Sequence, residues 1–120
     1  MSENKQEIGK HWEDVACEYL INKGYRILEQ NWRYKHLEID IIAENENFLV
    51  IVEVKYRSYT QFGSPEVFVD KQKQKFLIEA TNQYIQKTNI EKEVRFDIIA
   101  ISQKYNDVQI HHIEDAFYAR

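Results

Sequence analysis

Over the first 24 positions apolar residues recur every three to four places. Ile8, Trp12, Val15, Ala16, Tyr19 and Leu20 fall on one stripe, which predicts a helix over 8–23 stopped by Gly24 at its C′ position. Glu13 follows Trp12 by about 100° of helical turn and sits at the border of that stripe. The period then shortens. Tyr25 to Arg33 alternates loosely and predicts a first strand near a sheet edge. Glu38-Ile39-Asp40-Ile41-Ile42 and Leu49-Val50-Ile51-Val52-Glu53-Val54-Lys55 are rich in β-branched residues and flank the polar stretch 44–47, which predicts an antiparallel hairpin. With Ala43 opposite Phe48, Glu38 falls opposite Glu53 and Asp40 lies on the diagonal, roughly 7–8 Å away. Alternation places Glu38 and Asp40 on one face, and Glu53, Lys55 and Arg57 together.

Beyond the hairpin, Ser58 to Val69 has no clear period and carries Gly63 and Pro65, so a long loop is expected beside the end of the second hairpin strand. Asp70 is placed to N-cap a second helix running to about Thr88, with Phe76, Leu77, Ala80, Tyr84 and Ile85 as its buried stripe. Val94 to Ser102 and Val108 to Ile113 then predict two more strands. The order αβββαββ implies an α/β fold with one mixed central sheet flanked by helices. The unbroken apolar run Leu49 to Val52 asks for cover on both faces of that sheet.

A chain of 120 residues, 43% hydrophobic and 30% charged, suits a single domain (1–120) with one core. No apolar run approaches the ~20 residues of a membrane span, and Met1 to Lys10 lacks a signal-peptide core, so a cytoplasmic protein without membrane association is expected. Cys17 is the only cysteine, which excludes a disulfide framework and a thiolate zinc site; its position on the helical stripe reads as core. His111 and His112 are adjacent and face opposite ways in a strand, so no histidine metal motif is present.

Charge complicates this picture. The formal net charge of −4 weighs against a nucleic-acid partner, whose affinity comes largely from Lys and Arg. Yet Arg33, Lys35, Lys55, Arg57, Lys71, Lys73 and Lys75 can supply a local basic surface. Trp32 to His36 interleaves aromatic and basic residues, a pattern that stacks on bases and neutralises phosphates, or simply packs. Lys71, Lys73 and Lys75 crowd the first turns of the second helix, where its dipole disfavours cations, and so hint at an anionic partner. Charges continuing a doubly covered strand are costly unless paired or metal-bound. Carboxylates and a lysine converging at one strand end read as a site, against the alternative of a solvated sheet face.

Asp40 followed by Glu53-Val54-Lys55 at consecutive strand ends, in this element order, resembles the PD-(D/E)XK nuclease core of the restriction-endonuclease-like fold. More narrowly, the chain is similar to the YraN-like family (uncharacterised protein family 0102), related to archaeal Holliday-junction resolvases. The similarity spans Gly9 through Leu20, Gly24 through Leu28, Asn31-Trp32-Arg33, Glu38-Ile39-Asp40, Val52 through Lys55, Phe62-Gly63, Lys73, Arg95-Phe96-Asp97 and Asp115-Ala116-Phe117. The resemblance implies that Asp40, Glu53 and the Val54 carbonyl ligate Mg²⁺ or Mn²⁺ and that Glu13 completes the acidic cluster. Lys55 would orient or deprotonate the attacking water. The implied activity is endonucleolytic cleavage of DNA, branched or otherwise structured, by a chain that pairs as a homodimer. Arg33, Lys35, Arg57 and Lys73 are the residues expected to hold the nucleic acid. The alternative function is a non-catalytic nucleic-acid-binding or adaptor protein on the same scaffold. Trp12, Leu37 and Tyr56 depart from the Gly, Gly and Thr usual at those places in the family.

Overall fold

The computed structural model describes residues 5–58 and 69–118, so most of the expected loop between Ser58 and Val69 lies outside the described residues. The elements are α1 (Lys5–Asn22), β1 (Arg26–Tyr34), β2 (Leu37–Glu44), β3 (Phe48–Ser58), α2 (Lys71–Thr88), β4 (Glu93–Lys104) and β5 (Asp107–Phe117), in the predicted αβββαββ order. The strands form one sheet in the order β1-β2-β3-β4-β5, with β3 and β4 parallel and every other pair antiparallel. A parallel pair needs a crossover, and α2 lies within the segment that joins β3 to β4.

The doubly covered run behaves as its composition demands. Val50 and Val52 pack with Ile41, Ala43, Ile99 and Ile101 beneath Trp12, Ala16 and Leu20 of α1. Leu49 and Ile51 pack with Ile39, Ile42 and Ile98 beneath Leu77, Ala80 and Tyr84 of α2. Cys17 is buried under α1, and burial pushes its thiol up to about 11. The helix ends follow local chemistry. Asp70 accepts the Lys73 N–H at 2.8 Å, and Asn89 adopts φ 56° and donates its N–H to the Ile85 carbonyl. Gly24, at φ 96°, ends α1 as a residue without a Cβ can. Among the described residues no helix is long and apolar enough to cross a membrane.

The hairpin register corrects the expectation. Ala43 pairs with Val50 and Glu44 with Leu49, so the partners lie two residues further along β3 than a four-residue loop requires. The cause is a tighter turn. The Asn45 side chain accepts the N–H groups of Asn47 (3.0 Å) and Phe48 (2.8 Å), while the Asn45 backbone N–H donates to the Phe48 carbonyl. Glu38 is therefore not opposite Glu53. Continuing the observed register by one residue sets Asp40 level with Glu53. Nor do Glu38 and Asp40 share a face. Leu37 and Ile39 belong to the core beneath α2, but Ile41 and Ala43 belong to the core beneath α1, so alternation breaks at Asp40. The neighbouring strand breaks alongside it: Gln30 bonds Asp14 of α1, Trp32 packs edge-on against Tyr84 of α2, and Asn31 between them has φ 54°.

The ladder between β4 and β5 slips too, between Phe96 and Ile98, where Asp115 turns to φ 57°. Asp97, buried here, accepts Arg95 Nε (2.9 Å) and Nη2 (2.8 Å) and the Asp115 N–H (3.1 Å), with His112 Nε2 at 2.7 Å. Arg95 also reaches the Tyr25 hydroxyl and the Glu114 carboxylate. Burial alone would raise the Asp97 carboxyl, but the His112 and Arg95 hydrogen bonds and the Asp115 N–H outweigh it and hold the group below the ordinary range. A depressed carboxylate contributes stability above its unfolded pKa and loses that contribution as pH falls through the folded value. Asp97→Ala should destabilise the fold by about 3–5 kcal/mol in urea unfolding, because it strands a buried guanidinium. It should also flatten the acid limb of the stability profile. A loss under about 1 kcal/mol would show that Tyr25 and Glu114 satisfy Arg95 unaided.

Candidate functional site

The site begins where a ladder stops. Pairing between β2 and β3 is last seen at Ile41 and Val52, whereas β3 and β4 stay paired to Ser58 and Gln103. Past that point the Val54 N–H turns to a side chain and donates to Asp40 Oδ2 at 2.9 Å. Within a strand the N–H and C=O of one residue point to the same neighbour, so the Val54 carbonyl faces the same opening. The strands part like a wedge, with a carboxylate at its mouth.

Glu53 projects beside that mouth on the α2 side, since it alternates with Leu49 and Ile51, and Lys73 of α2 approaches its carboxylate at 3.5 Å. Glu53 is buried, and its carboxyl is pushed up to about 8. Burial is the main cause. The Asp40 carboxylate adds to it by sharing a hydrogen bond and by charge repulsion, and Lys73 offsets only part of the effect. Two carboxyl groups this close titrate as a pair, the charge on one opposing the charge on the other.

Glu13 meets Asp40 from the α1 side. Its Oε1 is buried and, among the described residues, has no hydrogen-bond partner. Burial first, then the Asp40 charge, raises its carboxyl, and the Asn31 side chain opposes them. Beside it Trp12 stacks on Tyr56, ring centroids 4.3 Å apart. Lys55 is half-buried two residues after Glu53 and shares its face. Among the described residues no three of His, Cys, Asp and Glu stand close enough to hold a metal ion together. Asp40, Glu53 and the Val54 carbonyl converge; Glu13 approaches Asp40 and Glu38, and the sheet separates it from Glu53.

The basic residues scatter. Arg33 pairs with Glu38 at 3.0 Å on the outer strands. Lys35 sits in the β1–β2 turn with its amine over the Tyr34 ring, and Arg57 is exposed at the end of β3. Lys73, expected only as a phosphate contact, lies against the acidic pair. The cue was available in the sequence: three residues after the N-cap Asp70, a side chain in the first helical turn can reach the strand that precedes the crossover.

The profile of the Uncharacterised protein family UPF0102 matches residues 12–101, a span that encloses Glu13, Asp40, Glu53, Val54 and Lys55. A UPF0102 protein of Flavobacterium psychrophilum is 50% identical over 112 residues, covering 93% of this chain and 94% of its own. Another from Thermodesulfovibrio yellowstonii is 49% identical over 112 residues, covering 93% and 96%. A third, from Flavobacterium johnsoniae, is 49% identical over 116 residues.

The raised Glu53 carboxyl fixes the sign of a pH effect. At acid pH the folded and unfolded chains both carry the proton, and stability is complete. As pH rises from the ordinary carboxylate range towards 8, the unfolded chain has released the proton while the folded chain still holds it, so stability falls. In a chelating buffer Tm should drop between pH 5 and pH 8, and Glu53→Gln should flatten that slope. A slope that survives the substitution would place the titrating group elsewhere.

Proposed function

The chain belongs to the uncharacterised protein family UPF0102, and from that membership and the paired Asp40 and Glu53 carboxylates we propose that it is a metal-dependent nuclease acting on DNA. The observation that carries this reading is a pair of carboxyl groups, one buried and proton-holding, set beside a backbone carbonyl where two strands part. All-oxygen donors suit Mg²⁺ or Mn²⁺, which keep several waters and need only one or two carboxylates from the protein. The unpartnered Glu13 oxygen adds a further acceptor on the far side of Asp40. Asp40, Glu53 and Val54 would hold such an ion, and when bound it would supply charge neutralisation at the phosphate and an acidified water.

The remaining work falls to side chains. Asp40 is oriented by the Val54 N–H, so one of its oxygens is fixed before any ligand arrives. Glu53 gives up its proton when a cation takes that proton's place. Lys55, on the same face as Glu53, would orient the attacking water and offset charge building on the phosphate. Arg33, Lys35 and Arg57 lie outside this cluster and would contact the DNA backbone. Branched or structured DNA is the favoured substrate, and a homodimer would allow two strands to be cut.

A second reading, a nucleic-acid-binding adaptor without catalysis, draws on the Trp12–Tyr56 stack, which puts two large rings beside Glu13. The two readings separate cleanly. Titrating Mn²⁺ calorimetrically should give binding that Glu53→Gln abolishes, and branched DNA should be cut with Mg²⁺ or Mn²⁺. Asp40→Asn, which can still accept from Val54, should slow cleavage about a hundredfold or more. Cleavage by Asp40→Asn at the wild-type rate would overturn the assignment; wild-type binding of DNA with neither metal uptake nor cleavage would favour the adaptor.

A further inference from the structure

The lysines that open α2 have two destinations. Lys73 turns inward to Glu53, but Lys71 and Lys75, four residues apart, share another side of the helix with Gln74 and Ile78. That side forms one wall of a groove of about 470 Å³, whose other wall is Phe117 and Tyr118 at the end of β5. Its lining is mixed: Lys71, Gln74 and Lys75 are polar, Ile78, Ala116 and Phe117 are apolar, and Tyr118 is 58% exposed. Phe117 is held in place by stacking on Phe96, ring centroids 4.8 Å apart.

Neither Lys71 nor Lys75 forms an ion pair among the described residues, and both are exposed. Each stands in the first turns of α2, whose first turn holds no acidic residue, where the helix dipole repels positive charge. Lys71, in the first turn, is disfavoured there by the dipole and gains nothing through pairing. Ammonium groups placed against the dipole, facing an aromatic ring across a groove, have the make-up of a surface that binds a flexible polyanion with stacking groups.

We propose that this groove binds a single-stranded segment of nucleic acid, with phosphates at Lys71 and Lys75 and a base stacked on Tyr118. It deepens the nuclease reading and rests on it for the choice of ligand; Lys73 of the same helix lies against Glu53. Bases are available for stacking only where a duplex is open, which fits a substrate with unpaired segments at a junction or end.

The test uses the full chain in a chelating buffer and a fluorescein-labelled deoxythymidine 12-mer, followed by anisotropy across a salt series. The wild type should bind, with the logarithm of affinity falling linearly against that of salt. Lys71→Glu with Lys75→Glu should weaken binding about tenfold or more and make the slope shallower by about 1.4, the value for two single-strand phosphate contacts. The double variant should keep the wild-type circular-dichroism spectrum, so weaker binding could not be ascribed to misfolding. Tyr118→Ala should cost roughly 5- to 150-fold, as removal of one stacking ring does. Unchanged affinity in the double variant, or equal losses for a blunt duplex, would overturn the proposal. A concentration-dependent dimer that the double variant disrupts, with strand affinity intact, would assign the groove to a second copy instead. If the wild type binds the strand but cuts no DNA with Mn²⁺, the nuclease reading falls and the groove assignment stands.

Discussion

The arrangement of this molecule turns on one hydrogen bond, from the Val54 N–H to the Asp40 carboxylate. A buried backbone donor without an acceptor costs about as much as a lost hydrogen bond, so two strands in a core cannot part without something to occupy the freed groups. Asp40 occupies them. Its side chain takes the place of a strand partner and lets β2 leave β3 while β3 continues beside β4. Asp97 makes the same substitution at the other end of the sheet, where its carboxylate receives the Asp115 N–H across a slipped ladder. In each case an acidic residue interrupts an apolar strand because the strand's own hydrogen bonding is interrupted there.

The two carboxylates are compensated differently, and that difference separates scaffold from chemistry. Asp97 is surrounded by a guanidinium, an imidazole and an N–H, and it remains an anion in the dark of the core. Asp40 receives the Val54 N–H and neighbours the Glu53 and Glu13 carboxyl groups, with Lys73 against Glu53. One cluster is electrically closed. In the other, burial first and then the Asp40 charge raise the Glu53 and Glu13 carboxyls.

Much of this was legible along the chain. The helical stripe from Ile8 to Leu20, the Asp70 cap and the doubly covered Leu49–Val52 run each depend on neighbours a few residues away, and each appears as expected. The hairpin register did not, because the Asn45 side chain closes a tighter turn than the polar stretch suggests; a shift of two residues leaves the faces of β3 unchanged and so leaves no trace in hydropathy. The break in alternation at Asn31 and Asp40 depends on a left-handed backbone at Asn31, which composition does not record. Arg95 with Asp97 was foreseeable from their spacing. Tyr25 and His112 join them only through the sheet order, across separations of 70 and 15 residues. Glu13 was singled out at a stripe border, yet its distance from Glu53 is set by the sheet that lies between them.

The covered thiol beneath α1 has a practical corollary. Cys17 is buried and keeps its proton well above neutral pH, so maleimide or iodoacetamide reagents find almost no thiolate on the native protein. A cysteine introduced at Tyr105, in the turn between β4 and β5 and 89% exposed, would then be the single reactive position. A fluorophore or spin label could be attached there to the otherwise unaltered chain, far along the sheet from Asp40.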